Sequence, residues 1–143
     1  MAKKDSSVKV VLGVAEAEFE RFAASWDLDT DTASMEEEDR KSFEDLQRKL
    51  VRKIVSGSLA IGDDGCATYT LMHPKSDVLT EVTFSVPTGA AVVGWDKYKD
   101  RQNVHKLNAF MGACTKQAPA TFAAMDFRDL KVCQAVALLF LAS

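Results

Sequence analysis

The chain has 143 residues, 47% apolar and 27% charged, the balance of an ordinary globular protein of one domain. Its net charge of −3 makes no electrostatic case for nucleic acid or an anionic membrane surface. Cys66, Cys114 and Cys133 are widely spaced with no CxxC pair, and no charged-then-apolar leader opens the chain, so reduced thiols in a cytosolic protein are expected.

Residues 1–13 read as an arm whose polar start, Met1 to Ser7, is expected to fray. Val8, Val10 and Val11 suit either a short strand or the approach to a helix. Ala15, Phe19, Phe22, Ala23 and Trp26 share one face at helical spacing, which predicts a helix over 14–26. Residues 27–33 carry no apolar period and read as an acidic linker. Ser34 followed by Glu37 is the pattern of a capping box and places a second helix over 35–56. Phe43, Leu46, Leu50 and Ile54 line its inner face, with Arg40, Lys41, Arg48, Lys49, Arg52 and Lys53 mostly solvated. Acids crowd its first turn and bases its last, as the helix dipole prefers, and Gly57 stops it.

Leu59 and Ile61, the loop Gly62-Asp63-Asp64-Gly65, and Cys66 to Leu71 predict a hairpin. His73 to Asp77 is a second turn. Val82, Phe84 and Val86 alternate with Thr83 and Ser85, the period of a half-buried strand, which Pro87 ends. Thr88 can cap a helix to about Tyr98, and Asn103 one over 104–115 that buries Leu107, Phe110, Met111 and Cys114. Pro119 opens a short helical turn to Ala124. Asp126 then stands as the N-cap of a terminal helix over 127–141, with Asp129 suiting its dipole. Leu130, Cys133, Ala137, Phe140 and Leu141 form its stripe, yet every residue from Ala135 to Ala142 is apolar. A helix apolar all round must be covered all round, by its own fold or by a partner. It is also shorter than the roughly 20 apolar residues that cross a bilayer.

The expected fold class is therefore α+β, a mostly helical single domain over 14–143. It has a helical part at 14–56, a small antiparallel β-meander at 58–86 packed against helices, and C-terminal helices at 88–142.

No catalytic constellation emerges. Asp27, Asp29, Asp31 and Glu38 match positions of a calcium loop, but Thr32 stands where glycine makes the sharp turn and Ser34 where an aliphatic belongs, so a solvated linker is the better reading. His105 and Cys114 lie about 13.5 Å apart along one helix, too far to form a thiolate–imidazole pair. His73 can approach Cys66 only across a hairpin, without an orienting third group. Gly62 and Gly65 flank two aspartates that would repel phosphate. Trp95 and Tyr98 stand at helical spacing with Lys97, Lys99 and Arg101 nearby, the look of a nucleic-acid face, but Asp96 and Asp100 spoil it.

Taken in order, Val82-Thr83-Phe84-Ser85-Val86-Pro87-Thr88, the helix 104–115, Pro119, Met125-Asp126-Phe127-Arg128-Asp129 and Phe140-Leu141 resemble the tail assembly chaperones of long-tailed bacteriophages. Ser85 and Ala91 depart from the family's arginine and acid, and residues 14–56 have no counterpart. The resemblance implies a binding protein of the host cytoplasm, not an enzyme. It would coat the helical tape measure protein, keep it soluble, and help recruit the tail tube protein. A second copy of the chain stays open as a partner; no cofactor, metal, nucleic acid or membrane is implied. The residues singled out for partner contact are Trp95, Tyr98, Phe140 and Leu141, although Phe140 is favoured as a core residue because phenylalanine is usually buried. A permanent tail or head–tail connector component, or a small enzyme, are the competing readings.

Overall fold

A computed structural model describes residues 10–28, 30–89 and 103–142, with the backbone alone at 103, 104, 141 and 142. Among these residues the fold is α+β and mostly helical, with one small antiparallel sheet, as the patterning predicts.

Helix α1 (Leu12–Ser25) begins two residues before its expected start and buries Ala15, Phe19, Phe22 and Ala23. Helix α2 (Glu37–Ser56) buries Phe43, Leu50, Val51 and Ile54 against it. The two helices run antiparallel: the Val10 N–H bonds the Val55 carbonyl at one end, and Phe19 meets Phe43 edge-on at the other. Gly57 ends α2 with φ of 87°, the left-handed region that glycine enters without steric cost. The capping box does not form. Ser34 lies in a separate 3₁₀ turn, Thr32–Ser34, and its hydroxyl bonds the Asp31 carboxylate at 2.6 Å. Glu36 occupies the cap position of α2 with extended backbone and no side-chain cap bond.

Strands β1 (Leu59–Ile61), β2 (Ala67–Thr70) and β3 (Glu81–Phe84) form the meander in the order β1-β2-β3, all antiparallel. Leu59, Ala67, Tyr69, Val82 and Phe84 fill its inner face. Arg21 of α1 clasps the β1–β2 turn through the carbonyls of Ile61 and Gly62. At Gly65, φ is 83° and a Cβ would collide with the Ser25 side chain, so the turn seats tightly on α1. β3 ends earlier than expected. Ala67, the first residue of β2, pairs with Phe84, so no strand residue remains to continue the ladder. Ser85 instead donates its N–H to the Cys114 carbonyl, and Val86 points outward, 59% exposed.

Helix α3 (Asn103–Thr115) packs on β3, the short α4 (Pro119–Ala123) carries Pro119 in its first turn, and α5 (Phe127–Ala142) packs on α2 and α3. The helix expected over 88–98 falls mostly outside the described residues. Val132, Cys133, Val136, Ala137 and Leu139 of α5 are buried, so the all-apolar run is mostly covered by the chain's own fold, with Leu138 left 42% exposed.

Two aspartates fix where α5 starts. Asp126 caps it, accepting the Arg128 N–H at 2.9 Å. Asp129 does more than face the dipole: it is fully buried. Its carboxylate accepts the Tyr69 hydroxyl at 2.7 Å and the N–H groups of Met72 and His73 at 2.9 Å each. A buried charge is tolerable only when so supplied with donors. Burial, and then the bond to Asp129, raise the Tyr69 hydroxyl well above the ordinary phenol range, so it stays a donor.

Asp129→Ala leaves three buried or half-buried donors without their acceptor and should destabilise the domain by at least about 3 kcal/mol, whereas Tyr69→Phe removes one charge-assisted bond and should cost about 1.5–3 kcal/mol. Urea unfolding of the two variants checks both the sizes and the order; wild-type stability in Asp129→Ala would refute the anchor.

Candidate functional site

An open groove of about 450 Å³ lies between α2 and α5. It exists because both helices turn their apolar stripes inward and leave long basic side chains at the seam. Leu50, Val132 and Ala135 form the apolar floor. Lys49, Arg52, Lys53 and Ser56 wall one side, and Arg128 and Lys131 the other. The walls contain no acid.

The cations are not equivalent. Arg128 is committed to Asp126 through two parallel bonds of 3.0 Å each, Nε to Oδ1 and Nη2 to Oδ2. That arginine holds the Asp126 carboxyl far below the usual carboxylate range, chiefly through its side-chain hydrogen bonds. Lys131 lies over the Phe127 ring, its Nζ 5.6 Å from the centroid. Lys53 Nζ stands 3.8 Å from the Met72 sulfur. Lys49, Arg52, Lys53 and Lys131 have no carboxylate partner among the described residues.

Phe140 lies at the other end of α5 and belongs to the core. Its ring stacks flat on Trp26, with centroids 3.3 Å apart and planes 5° from parallel, and it meets Phe22 at 5.9 Å and Phe110 at 6.2 Å. The structure thus ties Phe140 to α1 and α3. Leu141 continues the α5 backbone, its side chain outside the described residues, as are Trp95 and Tyr98. Three of the four expected partner side chains thus lie outside the described residues. Sequence patterning does not reveal the groove, because its cations lie on helices far apart in the chain and each reads locally as a solvated face.

The nucleophile candidates stay separate. Cys114 is fully buried while His105 is exposed, and Cys66 and His73 stand at opposite ends of β2. Burial pushes the Cys114 thiol up to about 12; burial, aided by the Asp129 charge, does the same at Cys133. Cys66, half-buried, is raised mainly by burial as well. Asp29 of the acidic linker falls outside the described residues, and among those described no group of three or more His, Cys, Asp or Glu side chains could hold a metal. No described helix is long and apolar enough to cross a membrane.

Two expectations follow. Phe140→Ala should cost about 2–4 kcal/mol, below the full range for a buried phenylalanine because the ring is half-covered, and thermal or urea melts will measure it. Native alkylation near pH 8 should label Cys66 well before Cys114 or Cys133, which should react only on unfolding; peptide mapping showing early labelling of Cys133 would contradict the packing of α5.

Compared with protein-family models, with curated proteins and with solved structures, the chain matches none of them.

Proposed function

We propose that this chain is a phage tail assembly chaperone that binds the helical tape measure protein, keeps it soluble in the host cytoplasm and helps recruit tail tube subunits. The observation that carries this reading is the order of the motifs from Val82 to Leu141. Among the described residues they fall in order on β3 and the Pro87-Thr88 segment, then α3, α4, and the start and end of α5. Exposed apolar side chains add support: among the described residues Val11, Leu12 and Val14, at the start of α1, are 74%, 58% and 53% exposed, and an apolar helix stripe can cover such residues.

The test is co-expression with a tape measure protein, followed by fractionation of the lysate. The wild-type chain should move the tape measure protein into the soluble fraction and co-purify with it. Leu12→Asp with Val14→Asp should keep the melting temperature within a few degrees, since exposed substitutions change stability by about 0.5 kcal/mol or less, while losing most of the solubilisation. No gain in soluble tape measure protein from the wild type would reject the chaperone reading. Stoichiometric presence of the chain in purified particles would favour a structural tail component.

A further inference from the structure

The α2–α5 groove concentrates basic charge in a chain whose net charge is −3. Elsewhere on the same helix Lys41 pairs with Glu37 and Arg48 with Asp45, while Arg40 stands alone with no carboxylate partner among the described residues. In the groove Lys49, Arg52 and Lys53 of α2 and Lys131 of α5 have no carboxylate partner among the described residues, and they stand on opposite sides of an apolar floor. Four like charges around one concavity repel one another, and an anionic occupant relieves that repulsion. Leu50 and Val132 of the floor are only 1% and 8% exposed, so it is the aliphatic stems of Lys49, Arg52, Lys53 and Lys131 that offer apolar contact at the same time. Both demands must be met by one ligand.

A small phosphate-like anion meets only one of them. The backbone N–H of Arg128, which would be a fixed donor at the start of α5, is already taken by Asp126. Asp126 also places a carboxylate beside Arg128 at that end of the groove. The remaining cations sit on flexible stems, which suit separate carboxylates along a surface better than one compact charge. The walls run from Lys49 to Ser56 and from Arg128 to Ala135. At 1.5 Å per residue each is about 10 Å long, the length of two helical turns.

We propose that this groove docks an acidic amphipathic helix of another protein, its apolar stripe on the aliphatic stems that wall the groove and its carboxylates on the charged ends of Lys49, Arg52, Lys53 and Lys131. The pairing is helix-in-groove recognition with charge selection at the rim. It rests on the groove alone and holds whether or not the chain is a tail chaperone.

The experiment uses the full chain and fluorescently labelled synthetic helical peptides of about four turns, read by anisotropy. One peptide carries a leucine stripe with glutamates elsewhere, a second the same stripe with lysines, and a third the glutamate composition with the stripe scrambled. The first should bind. Raising salt from about 0.05 to 0.5 M should weaken it at least severalfold, as expected of partly exposed charge pairs. Arg52→Glu with Lys131→Glu, both at exposed positions, should weaken it by about tenfold or more, the equivalent of 1.4 kcal/mol. Should that pair lower the melting temperature, the exposed Lys49→Glu alone must still weaken binding. The proposal is overturned if the first peptide does not bind, if the lysine or scrambled peptide binds equally, or if the charge reversals leave binding unchanged. Displacement of the peptide by millimolar inorganic phosphate would mark a small-anion site instead. Self-association of the free chain in sedimentation, lost in the charge-reversed pair, would make the occupant a second copy.

Discussion

Asp129 is the interaction on which the arrangement of this domain depends. A carboxylate with no exposed surface has to be given donors by the protein, and here they come from two places: the Tyr69 hydroxyl on β2, and the Met72 and His73 N–H groups in the loop that follows. One side chain therefore sets the position of α5 over the sheet and the course of the loop beneath it. The far end of α5 is held by a different force, the flat stack of Phe140 on Trp26. Phe140 lies eleven residues beyond Asp129, about 16 Å along the helix, so α5 is fixed at both ends by contacts that cannot substitute for one another.

The groove is a by-product of how α2 is stabilised. Acids at Glu37, Glu38 and Asp39 suit the positive end of the helix dipole, and Lys53 in the last turn suits the negative end. That separation places the bases where α5 docks. Arg128, drawn to Asp126, and Lys131, drawn over Phe127, then add cations from the other side. What favours each helix singly thus builds a surface neither has alone.

Features set by neighbours along the chain are legible in the sequence itself. The stripe of α1, the stop at Gly57, the three-strand meander and the Asp126 cap all follow from spacing and local chemistry. Legibility ends where a partner comes from far along the chain. Asp129 reads locally as a dipole partner, and its burial depends on donors 56 to 60 residues away. Val86 keeps the two-residue period, but no strand residue remains opposite, and Ser85 finds the Cys114 carbonyl instead. Ser34 has the right spacing to cap α2, yet its hydroxyl is spent on Asp31. The candidate site divides in the same way: Leu50 of its floor reads as core from spacing, while Val132 and Ala135 lie outside the expected stripe of α5 and the convergence of the walls is not legible.

The span of the Asp129 contacts bears on how the chain acquires its structure. The α1–α2 pair and the meander are closed by neighbouring elements, so their loop-closure entropy is small. The carboxylate bonds, by contrast, close a loop of 60 residues at Tyr69 and reward nothing until α5 is in place. Contact order favours formation of the helical pair and sheet before α5 docks. In that order Tyr69 would keep its hydroxyl in water, and the apolar face of α5 would stay uncovered, until the last step.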